Sequence, residues 1–494
     1  MNKELPLPTL EEYEISAVNG FLPKEMPIAK LSDSYYKKWE AVVAQLPSLL
    51  LTKKIREVVD RLPILEVKQS LLQNVGELRR AYSVLCFITN AYVWGVDQPC
   101  EILPDCIAVP LLRISDELGL PPLATYSSLV LWNYQPIITN PDLIDDVMDL
   151  SNLTTLNTFT GGIDESWFYL VSVMTEKVGS KCVMAGMNAM KTARQNDIDS
   201  VVKELQLLAE GIDNLGSILM RMEEMCDPHI FYYRMRPYLA GWKNMAEVGL
   251  PRGVKYGSKG EYKYFAGGSN AQSSLIQTLD IILGIEHFPT GKKNGENQKT
   301  ISANSNKNSF INEMRNYMPK KHREFLQHLS LVSNIRTFVL DQKVEKLTLA
   351  YDACLAMLKS FRDKHIQIVT RYIILQSNKN KSKSRALRSG LSKDQESKQL
   401  KGTGGTALIP FLKQCRDETG SIAASDWGKK VLSTAVLDVH RHSVIPTLHK
   451  RSAEKEMDES AGKSKKSKLG LAGDWIVDAS SDEESGIGRS AGHW

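Results

Sequence analysis

Apolar residues recur at steps of three and four along most of this chain, the spacing of helices that bury one face. Tyr36, Trp39, Val42, Val43 and Leu46 form one such stripe, and Ile55, Val58, Val59 and Leu62 another. Leu78 to Trp94 is apolar on nearly every side and predicts a buried helix. LPDCIAVP (Leu103–Pro110) is bracketed by prolines and predicts an extended connector. After Leu120-Pro121-Pro122 a further helix carries Tyr126, Leu129, Val130 and Asn133. No run of alternating residues is long enough to build a sheet, so the expected fold is all-α. The pattern weakens between Gln135 and Glu165. That break suggests a small helical domain over residues 1–150 and a larger one over 151–412.

The second half reads as longer helices. One starts at Asp164, a favourable N-cap, and puts Phe168 and Ser172 one turn apart. The Ser172 hydroxyl either bonds back to the carbonyl four residues earlier or serves a bound molecule beside an aromatic ring. Asp197 to Met225 is a long helical stretch, and Asp227-Pro228 caps the next. Pro237 interrupts that next helix and leaves Arg236 at a kink among Phe231, Tyr232 and Tyr233. Its guanidinium either snorkels to water or offers its fork to a buried carboxylate. FAGGSNAQSS (Phe265–Ser274) then supplies glycines for close backbone approach and polar donors ahead of a helix. Helical pattern returns at Phe310–Tyr317, pauses at MPKKHREFL, and resumes over Glu345–Ser377, which lacks Gly and Pro. There Leu358, Phe361, His365, Ile368 and Tyr372 share one face. An imidazole on such a face is either a hydrogen-bonded core histidine or a nitrogen donor held away from water, as an iron–haem site needs.

Composition narrows the classes. Of 494 residues, 42% are hydrophobic and 24% charged, ordinary values for a chain with a substantial core. A net charge of +5 is no footprint of a nucleic-acid binder. No uncharged apolar run approaches the ~18 residues that would span a bilayer, and MNKELPLPTLEEYE has no signal-peptide core. The seven cysteines are scattered without a CxxC pair, which fits reduced thiols in a cytoplasmic protein and argues against structural zinc. His440, His442 and His449 lack ligand partners at metal spacing. Residues 288–308 turn to Lys, Asn, Gly and Ser and suggest a solvated insertion. Residues 378–401 are strongly basic, suggest a mobile loop, and lead to GTGGT (Gly402–Thr406), either a hinge or a nest of backbone donors for an anion. Beyond residue 412 the helical signal fades, and 413–494 suggests a largely disordered extension, with KSKKSK (Lys463–Lys468) as a possible nuclear-import run.

AYVWG (Ala91–Gly95), LPDCIAVP, LPP followed by Tyr126, FYLVS (Phe168–Ser172) and RPYLAGW (Arg236–Trp242) stand in order along the chain. FAGGSNAQSS, YDAC (Tyr351–Cys354), HIQIVTRYI (His365–Ile373) and GTGGT follow them. Together they closely resemble the indoleamine 2,3-dioxygenase family, from about Gly20 to Leu408. The insertion and the tail look like additions to that pattern.

The resemblance implies a small helical domain over a larger one that holds haem b. In that pattern His365 is the iron ligand, with Arg362 and Asp280 paired beside it. Ser269 lies where the distal pocket meets the haem propionates. Tyr126, Phe168 and Phe231 surround the indole, Arg236 binds the substrate carboxylate, and Thr403 belongs to the loop that closes over the amino acid. Position 129 is Leu where some relatives carry Cys, so that side of the pocket differs. The implied reaction is cleavage of the indole ring of L-tryptophan by O2 to N-formyl-kynurenine, toward kynurenine and NAD, in a cytoplasmic monomer without nucleic-acid or membrane partners. Ser172 and Arg236 are the expected catalytic residues. A different class remains open: a haem-binding signalling or sensor protein that uses the tail for partners. Retention of Phe168, Phe231, Arg236 and GTGGT favours the enzyme, because a sensor has no need of a carboxylate clamp.

Overall fold

The computed structural model describes residues 5–288, 310–379 and 408–433 of one unit and, in a separate C-terminal unit, 468–470 and 473–475. Most of the 288–308 insertion, the 380–407 segment with Thr403 and the GTGGT motif, and the KSKKSK run up to Ser467 lie outside the described residues. Helices dominate, as the periodicity predicts, with only two- and three-residue strands between them. In the C-terminal unit Lys468–Gly470 pairs antiparallel with Gly473–Trp475. Among the described residues no helix is long and apolar enough to cross a membrane.

The buried helix of the first half runs from Val75 to Trp94, and its N-cap Asn74 accepts hydrogen bonds from Gly76 N and Glu77 N, both at 3.1 Å. The expected connector at 103–110 is mostly helix instead. Asp105–Leu118 is helical with Pro110 inside it and Pro104 as N-cap. Proline removes a backbone bond there, but Cys106, Ile107, Ala108, Pro110 and Leu111 are all buried, and their burial outweighs that loss.

A 32-residue helix, Ile163–Arg194, is the spine of the second half. Its N-cap is Gly162 rather than the expected Asp164, whose carboxylate instead accepts from Asp227 N at 2.7 Å. Glu165 holds the approach to the helix by accepting from Phe159 N and Thr160 N at 2.8 and 2.7 Å. The first half of this helix, Trp167 to Met174, packs into one apolar core with Trp39 and the Val75–Trp94 helix. Its second half, Cys182 to Ala193, joins another core with Ile198–Met220, Ser274–Leu283 and Glu345–Val369. Val178 and Phe361 touch both cores. A Cβ on Gly179 would lie 2.2 Å from the Leu275 side chain, so only glycine lets the Ser274–Leu283 helix approach this closely.

Two segments are more ordered than their sequence suggests. MPKKHREFL is no pause: Lys320–Val332 is a helix capped by Pro319, and it buries His322, Phe325, Leu326 and Leu329. The His322 ring packs edge-on to Phe21 at 4.9 Å. Nor does helix end at residue 412. Leu408–Ser421 and Asp426–Ser433 are both helical. The buried positions of these helices and the turn between them are Cys415, Thr419, Gly420, Ala423, Gly428 and Leu432, mostly too small to give an apolar signal. Asp352, from YDAC, fastens the turn between them by accepting from Ala424 N at 2.7 Å and Ser425 Oγ at 2.5 Å.

Among the described residues three helical segments widen into π-turns: Ser127–Leu131, Phe231–Met235 and Thr370–Ile374. Such turns cluster at functional sites, and all three border the same cavity.

Candidate active site

One large cavity is lined by residues from all three π-turns and from the helices Ile163–Arg194, Ser274–Leu283, Glu345–Val369 and Leu408–Ser421. Tyr126, Phe168, Ser172, Phe231, Arg236, Ser269, Asp280, Arg362 and His365 all face it. The fold therefore brings together every expected site residue it describes, from positions up to 239 apart in the chain (126 to 365).

His365 sits in the last two turns of the helix Glu345–Val369. Among the described residues neither ring nitrogen has a hydrogen-bond partner, so the core-histidine reading lacks the neighbour it requires. Its surroundings of low polarity, and then the positive charge of Arg362, pull its pKa down to about 4, so the imidazole is neutral and able to donate a lone pair. One turn earlier, Arg362 pairs with Asp280. Burial would raise the Asp280 pKa, but Arg362 and then His287 overcome this and hold it below the usual carboxylate range.

The opposite chemistry is assembled by the aromatic and hydroxyl groups. Phe168 and Phe231 have ring centroids 5.0 Å apart, and Tyr372 meets Phe231 edge-on at 5.6 Å. The π-turn Phe231–Met235 runs directly into Arg236–Leu239, with Pro237 in its first turn, so the expected kink is a π-turn. Arg236 is 1% exposed, which rules out snorkelling, and its guanidinium carbon lies 5.3 Å from the Tyr232 ring centroid. Ser172 Oγ donates to Phe168 O at 3.2 Å, the back-bond open to any helical serine, while still facing the cavity.

The FAGGS segment closes this part by approaching backbone to backbone. A Cβ on Gly267 would lie 2.2 Å from Leu239 O. Gln272 then bridges the segment to Tyr126, donating to Gly267 O at 2.8 Å and accepting from Tyr126 N at 2.9 Å. Ser269 caps the following turn, accepting from Ala271 N at 3.3 Å.

Sequence reasoning missed Glu176. It lies one turn beyond Ser172 on the same helix, 1% exposed, and accepts from Tyr126 OH at 2.9 Å and Ser273 Oγ at 2.6 Å. Burial pushes its pKa up to about 7, and the two hydroxyls offset this only in part. The step of four from Phe168 through Ser172 to Glu176 is the signal that could have found it. Also missed was the helix Leu408–Ser421, whose Leu408, Phe411, Leu412 and Cys415 line the cavity.

A profile of the indoleamine 2,3-dioxygenase family matches residues 9–422. The chain belongs to that family. It is 48% identical over 437 residues to the indoleamine 2,3-dioxygenase of Saccharomyces cerevisiae, covering 85% of this chain and 95% of that protein. It is 38% identical to indoleamine 2,3-dioxygenase qulI of Penicillium citrinum, covering 83% and 88% of the two chains. To 6-hydroxytryptophan 2,3-dioxygenase fscD of Fusarium equiseti it is 36% identical, covering 83% and 96%. The protein is therefore an oxidoreductase of the dioxygenase type, from a family that depends on haem. The matched span reaches past residue 412 and includes the helix Leu408–Ser421.

Proposed function

We propose that this indoleamine 2,3-dioxygenase family member binds haem b through His365 and cleaves the indole C2–C3 bond of L-tryptophan. Both atoms of O2 enter the product, N-formyl-kynurenine, which leads toward kynurenine and NAD. One observation carries the reading. A neutral imidazole without a hydrogen-bond partner among the described residues and a buried guanidinium beside an aromatic ring face one cavity. The donor set fits haem, because His365 is free to ligate while Asp280 is already engaged by Arg362 and His287.

Haem held there by His365 would supply the iron that activates dioxygen. The protein's part is to bind and orient. Tyr126, Phe168 and Phe231 take up the flat indole, whose burial releases water from an apolar surface. Arg236 offers two parallel N–H donors to the amino-acid carboxylate, fixing the ring's direction as well as its position. Tyr126 directs its hydroxyl to Glu176, so it presents its ring rather than its proton to the cavity. Ser172 holds one hydroxyl at the cavity surface, suited to steadying the indole N–H or the dioxygen substrate. Asp280 is ion-paired and Glu176 stands behind Tyr126, so neither is placed as a general base. The chemistry asked of the side chains is therefore positional.

The test is ferrous, haem-loaded protein with oxygen and L-tryptophan. Formation of N-formyl-kynurenine is expected. A loaded protein that forms none from L-tryptophan overturns the proposal.

A further inference from the structure

Four charged groups on the histidine side form a linked chain that the haem reading uses only in part. Arg362 pairs with Asp280, and Asp280 Oδ2 lies 3.1 Å from His287 Nε2. His287 Nδ1 then lies 2.6 Å from Glu418 Oε2. The second Glu418 oxygen accepts from Gln414 Nε2 at 2.8 Å and Phe288 N at 3.2 Å. All four side chains are 12% exposed or less. Each nitrogen of His287 faces a carboxylate oxygen, and only the doubly protonated ring can donate to both. In that form two cations meet two carboxylates, and the buried set carries no net charge.

The four residues come from separate parts of the fold. Asp280 is on the helix Ser274–Leu283, His287 lies just past its end, and Arg362 is one turn before His365. Glu418 is on Leu408–Ser421, the helix that also contributes Leu408, Phe411, Leu412 and Cys415 to the cavity wall. Two bonds through His287 therefore join that wall to the pair beside His365. His287, Cys415 and Glu418 also bring their donor atoms within 4.8 Å of one another, near enough to hold a metal ion. Both His287 nitrogens and both Glu418 oxygens are already bonded, however, so the group is complete without one.

We propose that His287 and Glu418 are positioning residues. They seat the helix Leu408–Ser421 as a wall of the haem cavity and hold the Asp280–Arg362 pair beside His365. The inference rests on the assignment of His365 as the haem ligand. Removing one member of a buried, hydrogen-bonded charge pair leaves the other charge without its match, and the element they join opens more often.

Two measurements on purified holoenzyme test it: amide hydrogen exchange along the chain, and the rate of haem transfer to excess apomyoglobin. In His287→Gln and Glu418→Gln, exchange over 408–421 should rise about tenfold or more while other helices keep their protection. Haem transfer should accelerate similarly. The double variant should be little worse than either single one, because the bond is lost once. Glu418→Asp, which keeps the charge, should recover most of the haem retention. Wild-type protection of 408–421 in both neutral variants, or a uniform rise along the whole chain, overturns the proposal. If neither neutral variant folds, His287→Lys supplies the same readings, because it keeps the cation but donates to one side only. Exchange does not require haem: a wild-type protein that takes up none refutes the haem assignment, and the exchange arm still decides whether the latch exists.

Discussion

Two buried carboxyl groups flank the cavity, and they behave in opposite ways. Asp280 is 5% exposed and Glu176 1%, so burial penalises both as anions. Asp280 faces Arg362 and His287 and stays ionised; Glu176 meets the hydroxyls of Tyr126 and Ser273, and its pKa rises to about 7. Partners, not depth, decide the charge. The histidine side is thus built from charges that cancel, whereas the wall around Ser172 and Tyr126 is built from neutral donors. A ligated metal centre tolerates the first arrangement because it adds no stray field, and an indole needs the second.

The largest expected effect falls on the histidine side. His365→Ala should abolish haem retention, read as loss of the haem absorption of the purified protein; normal loading with an unchanged iron spectrum would refute the ligand assignment. Asp280→Asn should come next. It leaves Arg362 and His287 buried with one carboxylate between them, at a cost of about 3–5 kcal/mol in denaturant unfolding. A loss below 1 kcal/mol would mean that the charges on this side do not act as a set.

On the substrate side Arg236→Ala should lower kcat/KM for tryptophan by roughly thirtyfold to several thousandfold, the effect of about 2–5 kcal/mol, with haem content near normal. Indole analogues without a carboxylate are the control. If they lose activity as steeply, Arg236 supports the fold and the carboxylate is bound elsewhere.

Glu176 gives the comparison its pH signature. The folded protein keeps this proton to about pH 7, whereas the unfolded chain releases it near 4.5. Between those values the native state binds more protons, so stability falls as pH rises, by at most about 3 kcal/mol. Asp280 contributes the other sign: its stabilisation is complete above the usual carboxylate pKa and is lost as pH falls through its depressed native value. Unfolding free energies of wild type and Glu176→Gln, measured from pH 4 to 8, should therefore diverge in slope only below about pH 7. Parallel curves would show that Glu176 titrates normally. The smallest effect is expected of Ser172→Ala, about threefold to tenfold in turnover, because one neutral hydrogen bond is at stake. A thousandfold loss would make Ser172 a proton-transfer group.

Much of this site was legible because its residues sit in motifs with helical spacing. His365 lies on the face of Leu358 and Phe361, and Arg236 precedes the proline that marks the change from π-turn to α-helix. What escaped reading has a common cause. Glu176, His322 and Asp352 are polar residues that lie inside, and a pattern of apolar positions counts each as surface. The helix Leu408–Ser421 escaped for the converse reason, since Cys415, Thr419 and Gly420 bury little apolar area. Pro110 suggested a break that neighbouring buried residues override. His287 carries no local signal, because its partners are 7 and 131 positions away.

The three π-turns make the cavity depend on chain length. Each fits one residue more than an α-helical ladder would, and removing that residue lets the helix close again. Everything on one side of the cut would then rotate by about 100° against the other. In Phe231–Met235 that rotation would part Phe231 from Arg236 although neither had been mutated. Substitutions at these walls adjust the shape of the pocket, whereas a single-codon deletion dismantles it. Length at these three turns should accordingly resist drift more strictly than side-chain identity does.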